Sequence, residues 1–231
     1  MPEQQTPHHR RWCRRRGQRR SARARRLCED CEIIMFERGP HVSFANCGLP
    51  YFVGGEIAEQ DSLLVQTPDS LKARFNLDVR INTEVIRIDC PARRIRVREL
   101  ETGCEYEETY DALILSTGAS PLKPHIPGIE CPNHFVVRDI PDVEKIMEWS
   151  KHCQGCRSVV VGGGYIGLEM AEQLHRHGFH VTVVEALPQV MTPLDPEIAA
   201  SCLIFRVRSY PARPRCPTVL PPDVPVLAFV L

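Results

Sequence analysis

Gly162-Gly-Gly164-Tyr-Ile-Gly167 has the spacing with which a backbone wraps a pyrophosphate. Alone, a GxGxxG match is a weak signal; here its setting makes it specific. It directly follows the apolar run Val159-Val-Val161, opens a helical segment from Tyr165 to His177, and is succeeded by a strand from His180 to Glu185. Glu185 stands 18 residues beyond Gly167, at the end of that strand. Gly162 permits a tight turn, Gly164 lets the main chain approach phosphate, and Gly167 allows close packing of the helix, with Tyr165 and Ile166 between them. The amino end of the helix offers N–H donors and a positive dipole to an anion. Glu185 is suited to accept a hydrogen bond from a ribose 2′-hydroxyl and to repel a 2′-phosphate, which favours NADH over NADPH while leaving NADPH possible. The competing reading, a glycine turn with a structural role only, treats strand, helix and acid as coincidence.

A second stretch with chemical potential is Ser43-Phe-Ala-Asn-Cys-Gly-Leu-Pro-Tyr-Phe-Val-Gly-Gly55, where Cys47 sits among small residues. Read blind, such a cysteine is more often a buried thiol than a nucleophile. It follows Glu32-Ile-Ile-Met-Phe-Glu37, a short apolar run ending on an acid, as a buried parallel strand does. A helix is expected over Ser62 to Phe75, with Thr67-Pro68-Asp69 as its start signal. Asp78 to Ile88, Arg94 to Leu100 and Glu105 to Tyr110 alternate apolar and polar residues around a Glu101-Thr-Gly103 turn, the pattern of an antiparallel meander. Asp111 to Ser116 reads as another buried strand that ends in Thr117-Gly118-Ala119. The proline-rich stretch Pro121 to Pro132 marks a domain crossing, and Asp142 to Trp149 a helix.

Together with Phe36-Glu37-Arg38, Val65-Gln-Thr-Pro68, Leu115-Ser-Thr-Gly-Ala119 and Ile126-Pro-Gly-Ile129, the cysteine segment and the glycine motif resemble the FAD-dependent pyridine nucleotide–disulfide oxidoreductases. Within them the chain is most similar to the single-cysteine branch of coenzyme A-disulfide reductases, with NADH oxidases and peroxidases as relatives. The resemblance runs from about Cys31 to Ala200. It implies an α/β fold of two Rossmann-like nucleotide-binding domains, each a three-layer, mostly parallel sheet, with a small antiparallel meander. It implies FAD and NADH as cofactors, and Cys47 as the redox nucleophile, alternating between thiolate and a mixed disulfide with coenzyme A, or a sulfenic acid in the oxidase relatives. By the same resemblance Ser43 and Asn46 line the substrate side of that site. Glu37 binds the adenosine ribose of FAD, Arg38 flanks the adenine, Val85 contacts it through its backbone, and Thr117 with Gly118 approaches the flavin. The substrate is coenzyme A disulfide or another small disulfide or oxidant.

Both ends depart from that family. Where a first strand and glycine turn for FAD should stand, His8 to Arg20 is basic, and ten arginines without an acid lie between Arg10 and Arg26. A basic arm of this kind raises the alternative of a nucleic-acid-binding module on a nucleotide-binding scaffold, the weaker reading of partner. Given compatible codons, a frame displaced by one base respells His8 to Arg20 as an apolar strand with the missing glycine turn, so a displaced frame is the expected origin of this segment. Beyond Ala200 the pattern is lost too, and six prolines from Pro211 to Pro225 disfavour regular elements. The expected organisation is therefore an aberrant Arg-rich segment (1–27), a partial FAD-binding domain with the redox cysteine (28–120), a partial NAD(P)H-binding domain (121–200) and an aberrant Pro-rich tail (201–231). Homodimerisation is expected of the full-length family, whose dimerisation domain is absent from this chain.

Composition bounds the rest. The 231 residues are 43% apolar, enough for a real core, and neither an apolar run of membrane-spanning length nor a signal-peptide core is visible, so no membrane partner and a cytoplasmic location are expected. The eleven scattered cysteines read as reduced thiols. Cys28-Glu-Asp-Cys31 and Cys153-Gln-Gly-Cys156 have CxxC spacing, but 121 residues separate them and each precedes a strand. Connecting turns are the expected role, ahead of zinc or redox pairing, and no metal is expected.

Overall fold

The computed structural model describes residues 11–13, 17–152, 155–202 and 226–230, with side chains over 20–152 and 155–200. The chain divides into two compact units, one formed by residues 1–45 and 63–119, the other by 46–62 and 120–231.

The first unit is built on a parallel four-stranded sheet of β1 (Arg11–Cys13), β2 (Ile33–Phe36), β5 (Asp78–Arg80) and β9 (Ala112–Ile114), in the order β5-β2-β1-β9. All four residues of β2 are buried, as a strand with helical or sheet cover on both faces requires. Helix α1 (Gly17–Leu27) crosses from β1 to β2 and sets Ala24 against Cys31, Ile33, Met35, Leu71 and Leu77. Arg11–Cys13 and Gly17–Leu27, within the Arg-rich segment, are thus a strand and a helix of this unit. β1 pairs with both β2 and β9, so the backbone at Arg11–Cys13 closes two ladders that would otherwise be open.

The meander follows as β6 (Thr83–Asp89), β7 (Arg94–Glu99) and β8 (Glu105–Thr109). Asn82, at φ 49°, breaks the expected single run of Asp78 to Ile88, so its first part joins the parallel sheet and the rest the meander. The expected helix over Ser62 to Phe75 is also divided. Leu64–Gln66 form β4, which pairs antiparallel with β3 (Ser43–Phe44), and α3 (Pro68–Phe75) starts where Thr67 and Ser70 make a reciprocal capping box.

The second unit carries the parallel sheet β10-β13-β11-β12, made of His134–Phe135, Val226–Val230, Arg157–Val161 and His180–Val184. Around it lie α2 (Leu49–Val53), α4 (Ile140–Ser150, capped by Asp139), α5 (Tyr165–Arg176) and α6 (Pro196–Cys202). The strand Val226–Val230 stands just after the last of the six prolines, where an apolar run pairs with β10 and β11. A correction concerns thiols. Cys28 and Cys31 are joined in a disulfide, whereas Cys47, Cys90, Cys104, Cys131 and Cys156 are free. Cys153 lies outside the described residues.

Candidate functional site

In the second unit, β11 delivers the chain into the glycine turn. Gly162 adopts φ 109°, a conformation that L side chains rarely enter, and its N–H donates to the Val184 carbonyl at 2.8 Å. Gly164, at the amino cap of α5, has an ordinary φ, and a Cβ placed there would meet nothing within 4 Å. The space over Gly164 is therefore open to a ligand, and the helix behind it is long enough to present its terminal N–H groups. Gly167 is buried on α5, while Tyr165 and Ile166 are exposed beside the turn.

Glu185 follows β12 and is held at both oxygens. Gly163 N–H donates to Oε2 at 2.7 Å and Leu187 N–H donates to Oε1 at 2.9 Å. These bonds, Leu187 first, hold its carboxyl below the usual range. Gly163 was not singled out in the sequence, though it lies within the glycine triplet. A Cβ there would stand 2.7 Å from Val190 Cγ1 and 3.2 Å from Glu185 Oε2, and its carbonyl accepts from Met191 N–H at 2.8 Å. The segment around Val190 and Met191 thus seals the turn from behind.

Cys47 lies in the same unit, exposed, in a 3-10 turn (Asn46–Gly48) that runs into α2. Asn46 is exposed beside it. The far end of this segment is anchored on α5. A Cβ on Gly54 would come within 2.0 Å of Gln173 Oε1, so only glycine admits the buried Gln173 side chain at this distance. Gln173 Nε2 donates to Glu56 Oε1 at 3.1 Å, and Arg176 donates to the same oxygen. The helix that bears the glycine turn therefore also holds the cysteine segment, a link for which the sequence offers only the Gly54-Gly55 pair.

In the first unit, Glu37 emerges from β2 and is 6% exposed. Its N–H donates to the Arg80 carbonyl and its carbonyl accepts from Thr83, so both neighbouring strands fix it. Oε1 accepts from Gly39 N–H at 2.9 Å, while Oε2 is buried with no hydrogen-bond partner. Such an orphaned acceptor suits a ligand hydroxyl. Arg38 is exposed and pairs with Glu84 at 3.7 Å, next to Val85 on the outer strand of the meander. Glu37, Arg38 and Val85 are thus brought together. Thr117 and Gly118 follow β9, exposed, with Gly118 at φ 71°. Because the sheet is parallel, they leave it at the same carboxyl edge as Glu37, the edge where open α/β sheets bind ligands. Ser43 sits in β3 opposite Gln66.

Arg80 steadies this corner. Its guanidinium donates to Asp78 at 2.9 Å, Glu108 at 2.8 Å and the Tyr106 hydroxyl at 3.1 Å, and lies over the Phe36 and Tyr106 rings. Although burial opposes its charge, the Tyr106, Glu108 and Asp78 bonds outweigh that effect and hold the guanidinium firmly protonated. Among the described residues, no three His, Cys, Asp or Glu converge as a metal site, and no helix is long and apolar enough to cross a membrane.

The pattern of pyridine nucleotide–disulphide oxidoreductases matches residues 18–203. The chain belongs to that family. As a pyridine nucleotide–disulphide oxidoreductase it is 37% identical over 177 residues to an NADH oxidase of Methanocaldococcus jannaschii, covering 76% of this chain and 39% of the relative. It is 35% identical to the coenzyme A disulfide reductase of Staphylococcus haemolyticus, over 77% of this chain and 40% of the relative. The chain thus spans about two fifths of the length of the curated relatives it matches. Among solved structures, the reduced CoADR-RHD protein of Bacillus anthracis superposes with a TM-score of 0.80 at 44% identity, over 86% of this chain and 36% of that one. An NAD-dependent persulfide reductase of A. fulgidus gives 0.78 at 35% identity, over 84% and 37%. The α/β fold with Rossmann-like sheets is that of this family.

Proposed function

We propose that this chain is the FAD- and NADH-binding part of an NAD(P)H:disulfide oxidoreductase of the coenzyme A disulfide reductase kind, with Cys47 as its redox thiol. The observation that carries the reading is the pair of acids, each at the carboxyl end of a parallel strand: Glu185 clamped beside an open glycine turn, and Glu37 with a buried oxygen awaiting a donor. Glu37 would receive the FAD ribose hydroxyl on Oε2, with Arg38 and Val85 along the adenine and Thr117 and Gly118 near the flavin. Glu185 would receive the nicotinamide nucleotide's ribose, with the pyrophosphate over Gly164 and the α5 amino end. Bound FAD would supply the relay that takes two electrons from the reduced nicotinamide and delivers them to sulfur.

Cys47 has the exposure its part requires. Its thiolate attacks one sulfur of coenzyme A disulfide, one coenzyme A thiolate leaves, and a Cys47–coenzyme A disulfide forms. Two electrons and a proton then break that bond, returning the Cys47 thiolate and a second coenzyme A thiol. Ser43 and Asn46, flanking Cys47 in the chain, would line the substrate side. The full-length protein would act as a homodimer in the cytoplasm.

The test combines the purified chain with FAD and NADH. Retained flavin absorbance, bleached by NADH and restored by coenzyme A disulfide, is expected; Cys47→Ser keeps the bleaching and loses the restoration. A colourless chain that retains RNA in a steeply salt-dependent manner would overturn the reading in favour of the arginine arm. The similarity to an NADH oxidase supports one alternative, in which Cys47 cycles through a sulfenic acid. Reoxidation by oxygen or peroxide, but not by coenzyme A disulfide, identifies that case.

A further inference from the structure

We infer that Cys28 and Cys31 form a second thiol–disulfide centre, separate from Cys47, that is closed by a low-molecular-weight disulfide. The two are bonded to each other in the turn between α1 and β2. Their surroundings divide the labour of exchange. Cys31 is 4% exposed and packed with Ala24, Ile33, Met35 and Leu77, whereas Cys28 stands partly exposed at the margin of that cluster. An incoming disulfide can therefore meet only Cys28, and Cys31 is the sheltered partner that resolves.

Arg25 keeps the turn in place by contacts that do not depend on the sulfur bond. Its Nε donates to the Phe75 carbonyl at 3.0 Å and Nη2 to the Asn76 carbonyl at 2.9 Å; Nη1 donates to the Cys28 carbonyl at 3.4 Å and to the Glu29 carbonyl. The C-terminal end of α1 is thereby tied to the end of α3 whether the thiols are free or joined, and the sulfurs stay within reach of each other. A link across two intervening residues restrains little of the unfolded chain, because the stabilisation from a cross-link grows with the loop it closes. A structural staple is therefore a poor account of the pair, and reversible exchange a better one.

The step balances as follows. The Cys28 thiolate attacks one sulfur of the small disulfide and expels one thiolate, leaving a mixed disulfide on Cys28. Cys31 gives up its proton and attacks the Cys28 sulfur, expelling the second thiolate. Two protein thiols are oxidised and one small disulfide becomes two thiols.

Trypsin releases Leu27–Arg38, which contains Cys28 and Cys31 and no other cysteine. The full chain is reduced with dithiothreitol, exposed anaerobically to glutathione disulfide, alkylated, digested and weighed. The peptide is expected to pass from doubly alkylated to internally bonded and to return on renewed reduction, equally in a Cys47→Ser chain. Cys31→Ser should accumulate a glutathione adduct on Cys28, and Cys28→Ser should react at least about tenfold more slowly. A wild-type peptide that stays doubly alkylated overturns the inference even if neither variant folds. So does equal adduct formation in the two variants, or dependence of closure on Cys47.

Discussion

Glu37 and Glu185 occupy equivalent places in two parallel sheets and are treated oppositely by their surroundings. Glu37 is buried, with one oxygen bonded to Gly39 and the other bonded to nothing; Glu185 is half-buried, with both oxygens bonded to main-chain N–H groups. The first carboxylate bears a desolvation cost that a ligand hydroxyl would relieve, on the order of 1–3 kcal/mol for an unsatisfied buried group. The second is already organised, so a nucleotide finds its acceptor fixed in advance. One acid is left incomplete without its ligand, and the other is complete without it.

The largest effect on this contrast should come from the scaffold under Glu37. Arg80→Ala removes the charge-assisted bonds to Asp78, Glu108 and Tyr106 together with the cover over Phe36. It should cost about 2–4 kcal/mol in urea unfolding, with FAD retention lost and NADH binding by the other unit preserved. Gly163→Ala should come next. Its Cβ would press on Val190 and on Glu185 Oε2, costing about 1–3 kcal/mol and weakening NADH binding by at least about tenfold in titration, with FAD unaffected. Parallel losses of both ligands in either variant would show that the two sites do not behave separately.

The sequence made the Glu185 site legible because its information is local. Strand, glycine turn, helix and acid lie within one βαβ unit, and each residue type is demanded by backbone geometry at its own position. Glu37 was readable as the acid after a buried strand, but its orphaned oxygen follows from Gly39, Arg80 and Thr83 closing around it. What was not legible depends on partners distant in the chain. β1 is written in residues with no apolar pattern and is a strand because β2 and β9 offer it two ladders; β13 likewise fills the gap between β10 and β11. Leu64–Gln66 leaves the helical pattern because Ser43–Phe44 pairs with it. Nor could the spacing of Cys28 and Cys31 reveal that Cys31 is buried while Cys28 is not.

A paired substitution sharpens the comparison further. Glu37→Gln keeps an acceptor for Gly39 and removes a buried charge, so without FAD the unfolding midpoint should hold or rise while FAD affinity falls about tenfold, or about 1.4 kcal/mol. Glu185→Gln does the reverse to stability. It gives up two bonds to a charged acceptor and should lower the midpoint modestly even without NADH.

The smallest effect is the pH dependence of that last loss, and its sign follows from the direction in which the carboxyl is shifted. The Leu187 and Gly163 N–H groups hold Glu185 below its ordinary value of 4.5 in the folded chain, so the unfolded state binds the proton first as the solution is acidified. Its contribution is fully present above 4.5 and disappears as pH falls through the lower folded value. The stability gap between wild type and Glu185→Gln should therefore be constant above the ordinary value of 4.5 and close as pH falls through the lower folded value in denaturant titrations. Glu37 makes the control, because a parent chain carrying Glu37→Gln should show the same closing gap. A gap that persists unchanged into acid would mean that Glu185 is anchored by its shape and not by its charge. The contrast between the two carboxylates would then rest on burial alone.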